Sequence, residues 1–278
     1  MQAEAFLPLM TYPDANADIL PRKAVRFAAA HRLRVSAMAM RVDIPAVSNV
    51  VSEMLMNAPD MIKEAQRLSM QRAQKLESLL REEADRAGVP VSIHEGRYKL
   101  PRLGEEAAGH ARYCDVSLVG WRKDNPTARM LIEALIFGSG RPTVLLPEAG
   151  EDEIFDHIAI GWDGSRVAAR AVSDAQALLA RARTVSVVSV TGEKVFEAVH
   201  PCERLAEHLK AKGLNAEAVS SPLDGRRIGA ALQETAIASG AGLLVMGGYG
   251  HSRLRDFVLG GATQGVIEDL RLPVLLAH

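Results

Sequence analysis

Two cysteines in 278 residues, Cys114 and Cys202, are too few and too far apart for a disulfide framework or a four-ligand zinc site. Both are expected to be core thiols. A metal held by His200, Cys202 and His208 is the competing reading, but a helix through that segment would bury the cysteine and expose the histidines. Long apolar runs are also missing. None nears the roughly 18 residues of a membrane helix, and no basic stretch followed by an apolar one opens the chain, so a cytosolic setting is expected and no membrane partner. Charge of one sign is lacking too: 33 basic residues face 34 acidic ones, leaving −1, which argues against a nucleic-acid partner. The chain further lacks a phosphate-loop lysine motif, an SGG-type pyrophosphatase loop and a GxSxG nucleophile elbow. No catalytic residue is assigned. The enzyme reading reduces to a slow ATPase assisted by His251 and Arg253.

What is present is a globular composition, 48% hydrophobic and 24% charged, at a length that suits two domains. Short apolar runs alternate with helical patterns throughout, which implies an α/β fold whose parallel sheet is covered on both faces. In the first half, strands are expected at 4–12, 35–40, 89–94, 116–120 and 142–146. Helices are expected at 19–31, 61–87, 103–112 and 127–137, with a short extra helix over 47–55. The second half repeats the order: strands at 157–160, 185–190, 216–220, 243–246 and 274–276, and helices at 166–182, 201–212, 227–239 and 262–270.

The repetition is visible in the letters. GRPTVLLP at 140–147 lies over LRLPVLLA at 270–277, and VSLVGW at 116–121 over LLVMGG at 243–248. Asp14 and Asp163 are 149 residues apart, Gly88 and Gly213 only 125, so about 24 extra residues sit in the first half between its second strand and its long helix. The domains are therefore drawn at 1–148 and 154–278, a tandem duplication.

The chemistry concentrates between Leu243 and His278. An apolar strand empties into Gly247, Gly248 and Gly250, and a second glycine turn, Gly260 and Gly261, opens a helix. Glycine admits close backbone approach, and the free N–H groups of a helix start attract anions. Two such turns facing one another would cradle phosphates; glycines after strands are also ordinary loop formers.

Gly247, two residues, Gly250, nine residues, Gly260 resembles the nucleotide-binding signature of the universal stress protein family, and with the repeat the resemblance covers the whole chain. It implies two tandem open parallel five-stranded sheets, each in the order 3-2-1-4-5 with helices on both faces. It also implies an adenine nucleotide, ATP or else ADP or AMP, with or without Mg2+, bound where the strand order reverses. Carried over by position, Asp163 ends strand one beside the nucleoside, Val190 offers its backbone to the adenine edge, and Gly247, Gly250, Gly260, Gly261 and Thr263 surround the phosphates. Gly261 stands where the family has Ser or Thr, and Thr263 matches a second hydroxyl position. Asp163 or Ser165 can instead simply cap the following helix, and Arg253 either caps a terminal phosphate or is solvated. Trp162 either stacks on the base or fills the pocket.

The first half keeps Asp14 but follows Gly120 with Trp121, Arg122, Lys123, Asp124, Asn125 and Pro126, which obstruct a phosphate, so this copy is expected to bind none. The resemblance further implies that the last strands, PTVLLP and PVLLAH, pair within one chain as a pseudo-dimer, with a homodimer of whole chains also open. The expected function is a stress-response sensor or regulator that binds a nucleotide in its second half; a scaffold acting through protein association is the alternative.

Overall fold

A computed structural model describes residues 2–45, 58–150, 153–192, 201–249 and 261–278. The expected extra helix at 47–55 lies outside them. The described residues divide into two compact units, Met1–Gly140 and Arg141–His278.

In the first unit, strands β1 (Glu4–Met10), β2 (Arg34–Asp43), β3 (Val91–Lys99) and β4 (Val116–Trp121) run parallel in the order β3-β2-β1-β4. Every residue of β1 from Ala5 to Met10 is buried, so both faces of the strand are covered. Among the described residues the cover comes from α1 (Leu20–His31), α2 (Ala58–Ala87), α3 (Leu103–Ala111) and α4 (Pro126–Gly138). The 30-residue α2 is specified by one regular row, Ala65, Ser69, Ala73, Leu76, Leu80 and Ala84, all buried at helical spacing. Gly88, at φ +64°, ends it, because a residue there must turn left-handed to leave the helix. Ser69 interrupts the apolar row, and its hydroxyl is used: it bonds the Thr11 hydroxyl at 2.7 Å and accepts from the Val42 N–H at 2.9 Å.

In the second unit, β6 (His157–Gly161), β7 (Thr184–Thr191), β8 (Ala216–Pro222), β9 (Leu243–Gly247) and β10 (Val274–Ala277) are parallel in the order β8-β7-β6-β9-β10, the expected 3-2-1-4-5. A sixth strand, β5 (Thr143–Pro147), joins the far side of β10 and runs antiparallel to it, with Val144 opposite Leu275. PTVLLP and PVLLAH thus pair, with both strands inside the second unit. Two separate five-stranded sheets are not observed: the ten strands belong to one sheet, divided four and six between the compact units, and one of its pairs is antiparallel. Both β5 and β10 are fully buried runs, which disfavours leaving either as an open edge. The helices are α5 (Arg166–Asp174), α6 (Gln176–Leu179), α7 (Pro201–Ala211), α8 (Ile228–Ala238) and α9 (Gly261–Glu268).

Where one helix is expected over 166–182, two are found. Ala175 adopts ψ 0° and bends the run, while Ala175 N–H still reaches Ala171 C=O and Leu179 N–H still reaches Ala175 C=O. Strand β3 extends to Lys99, well past the expected end at His94. It is an edge strand of its unit, with a mixed burial pattern and no apolar alternation to mark its length.

Candidate functional site

In the second unit β6 lies between β7 and β9, pairing Gly161 with Val188 on one side and with Met246 on the other. The chain leaves β6 towards β7 and returns later to β9, so a crevice opens beyond the carboxyl ends of β6 and β9. Asp163 follows β6 there and is exposed. It does not cap α5. Ser165 is the N-cap, its hydroxyl accepting from the Ala168 N–H at 3.2 Å, and Asp163 Oδ1 accepts from the Ser165 N–H at 2.9 Å, which bends the loop into the helix. Gly164, at φ +74°, makes the turn between them.

Trp162 is half-buried, and its backbone is tied to β7 at both ends. Its N–H donates to Val188 C=O at 2.8 Å and its carbonyl accepts from the Ser189 hydroxyl at 2.7 Å. Val190 is half-buried two residues beyond Val188 in β7, in register with Ser221 of β8.

The two glycines described at the ends of β9 and α9 play different parts. A Cβ on Gly247 would lie 2.6 Å from the Ala168 nitrogen and 2.6 Å from the Val167 carbonyl carbon. The glycine is therefore required for strand β9 to pass against the first turn of α5, a packing role independent of any ligand. Gly261 opens α9, is exposed, and has nothing within 4 Å of its Cβ position. Tyr249 connects the two regions: it is buried, holds φ +61°, and its N–H donates to the Thr263 hydroxyl at 3.4 Å. Thr263 is 3% exposed, so the bond lies inside the fold. Gly248 donates its N–H to Ala277 C=O at 2.8 Å, and its carbonyl lies 3.2 Å from His278 Nδ1.

Asp163, Gly247, Gly261 and Thr263 are thereby gathered at the carboxyl ends of β6 and β9, with Val190 one strand away. Gly250, Arg253 and Gly260 lie outside the described residues, as do His251, Ser252, Arg255 and His200. Among the described residues no group of three or more His, Cys, Asp or Glu side chains is placed to hold a metal ion. Cys202 is buried on α7 and His208 exposed. Burial, with Glu203 beside it, holds the Cys202 thiol above the ordinary cysteine range.

At the corresponding place in the first unit the polar side chains bond within the fold. Asp14, after β1, accepts from the Thr127 hydroxyl of the first turn of α4 at 3.0 Å. Asn125 caps that helix, accepting from the Ala128 N–H at 2.8 Å, and Asn16 Oδ1 accepts from the Met10 N–H at 2.6 Å.

With this geometry the chain can be placed among known proteins. Residues 155–278 match the universal stress protein family. The structure of a universal stress protein from Archaeoglobus fulgidus DSM 4304 is similar over 99% of this chain and 97% of its own, at 14% identity and a TM-score of 0.67. A functionally unknown protein from Pseudomonas aeruginosa PAO1 gives 16% identity and a TM-score of 0.55 over 99% of this chain and 92% of its own. A protein from Pseudomonas aeruginosa UCBPP-PA14, described as a universal stress protein, gives 16% and 0.57 over 99% and 93%. At these identities the likeness speaks for the fold. No curated protein matches the chain. No helix among the described residues is long and apolar enough to cross a membrane.

One further feature of the second unit had no signal in the sequence. The turn after β8 presents Arg226 and Arg227 at the start of α8, across a cavity from Gly261.

Proposed function

We propose that the second unit binds one adenine nucleotide, ATP or its di- or monophosphate, and that the protein acts as a stress-response sensor or regulator through that binding. The observation that carries the reading is the strand order 3-2-1-4-5, with an exposed carboxylate, Asp163, following its first strand and a glycine, Gly261, opening the helix after its fourth. Asp163, with one oxygen spent on the Ser165 N–H, has a second to accept from a ribose hydroxyl. The first turn of α9, opened by Gly261, offers backbone N–H groups to phosphate. The match of residues 155–278 to the family supports the same reading. Gly250, Gly260 and Arg253 complete the proposed set by their place in the motif, and Mg2+ would enter with the phosphates. One site per chain is proposed, since the first unit follows Gly120 with Trp121, Arg122, Lys123, Asp124, Asn125 and Pro126 in place of a glycine loop.

Replacement Gly261→Asp tests this. The side chain meets open space, and an acidic residue in the first turn favours a helix, so the variant folds. Its charge faces the phosphates, and ATP binding by calorimetry is expected to disappear while Gly261→Ala retains it. Unchanged ATP affinity in a folded Gly261→Asp protein would overturn the placement.

A further inference from the structure

A cavity of about 390 Å3 lies between the turn after β8, the start of α8 and one face of α9, lined by Leu223, Arg226, Arg227, Ile228, Gly261, Gln264, Gly265 and Glu268. Gly261 belongs both to this cavity and to the nucleotide crevice proposed above. Of the two arginines, Arg226 is spent on the fold. Its guanidinium donates to the carbonyls of Pro222 and Leu223 and to Glu234 at 2.8 Å, fixing the turn that carries its neighbour. Arg227 is different. Its side chain is 80% exposed and pairs with Glu268, Nη1 lying 3.0 Å from Oε2 across 41 residues of chain. The other oxygen of Glu268 is held by Gln264 at 2.7 Å.

We propose that this cavity reads the phosphates beyond the first of a bound nucleotide, with Arg227 as the residue that recognises them and Glu268 as the internal anion they displace. The inference rests on the nucleotide reading above and adds to it a preference for di- and triphosphates over monophosphates. An exposed Arg–Glu pair is a weak contact, while a guanidinium bonds phosphate oxygens in two parallel hydrogen bonds, so a polyphosphate entering past Gly261 outcompetes one glutamate. Gln264 retains Glu268 on α9 when the arginine leaves, and the anchored Arg226 keeps the turn in place. The cavity also has the volume that such a group needs, with Gly261 and Gly265 leaving its α9 wall low.

The test is titration of the full chain, emptied of nucleotide, with AMP and with ATP at low salt, comparing wild type, Arg227→Gln and Glu268→Gln. Circular dichroism checks that each is folded. Arg227→Gln is expected to weaken ATP about tenfold and leave AMP within about twofold, while Glu268→Gln, which frees Arg227, tightens ATP about threefold. Nucleotide binding in which the ratio of ATP to AMP affinity is the same in all three proteins would overturn the role of Arg227 and leave the nucleotide site standing. No binding of either nucleotide by the wild type would overturn both.

Discussion

Thr127 donates its hydroxyl to the carboxylate of Asp14 at 3.0 Å, tying the first turn of α4 to the loop after β1. The corresponding acid of the second unit, Asp163, accepts instead from the backbone two residues on, at Ser165, and stays exposed. Two carboxylates at equivalent places after the first strand of each unit thus do different work: one ties its loop to a helix, the other faces solvent.

Removing the Thr127–Asp14 bond should cost stability and nothing else. Thr127→Val deletes a part-buried hydrogen bond to a charged group, worth about 1–2 kcal/mol, and should lower the thermal midpoint by a few degrees. ATP affinity should not change. A variant that unfolds like wild type, or that loses ATP binding, would show that Asp14 serves another purpose.

Gly247 and Gly261 should respond oppositely to the same methyl group. Gly247→Ala drives a Cβ into the backbone of Val167 and Ala168, which has no far end to swing away, and should destabilise the protein by about 1–3 kcal/mol. Gly261→Ala meets open space at the start of a helix, and stability should be unchanged or slightly raised. Denaturant unfolding of the two variants decides this, and equal losses would contradict it.

Thr263 should matter for its hydroxyl. Thr263→Val removes the hydroxyl that accepts from the Tyr249 N–H inside the fold, at a cost of about 0.5–1.5 kcal/mol, whereas Thr263→Ser restores the acceptor. Hydrogen exchange at the Tyr249 amide should quicken in the valine variant and return towards wild type in the serine one. Identical exchange in all three would remove the bond from the account.

Glu234 sits between Arg226 and Arg271, at 2.8 and 3.0 Å, and their hydrogen bonds hold its carboxyl below the usual glutamate range. A lowered folded-state value means the stabilisation is complete above the unfolded-state pKa, about 4.3, and is lost as pH falls through the lower folded value. Glu234→Gln should therefore unfold more readily than wild type at pH 7, and the difference should shrink as pH drops below about 4. A difference that persists undiminished into acid would mean the glutamate acts by packing.

Much of the fold is legible in the letters because the signals are local. The row Ala65, Ala73, Leu76, Leu80 and Ala84 marks α2, and the run Leu243–Met246 marks a buried strand. Pairings between strands are not local. The shared sequence PTVLLP and PVLLAH suggests that β5 and β10 meet, but nothing in either run states that one sheet takes all ten strands or that this pair runs antiparallel. The edge strand β3 fades from view after His94 because its exposed residues carry no alternation.

The candidate site divides the same way. Motif spacing draws attention to Gly247, yet the close contact with Val167 and Ala168 that requires glycine there depends on how α5 packs. Ser165, rather than Asp163, proves to be the helix cap, a choice both sequences of atoms would permit. Thr127 meets Asp14 across 113 residues, and Arg227 meets Glu268 across 41, distances over which single-sequence patterns say nothing.

The most direct measurement is of the protein as purified. Denaturing it, identifying any released nucleotide by mass spectrometry and titrating ATP into an emptied sample by calorimetry should yield about one adenine nucleotide per chain and saturable heat. No released nucleotide and no heat of binding would contradict the central claim that the second unit is a nucleotide site.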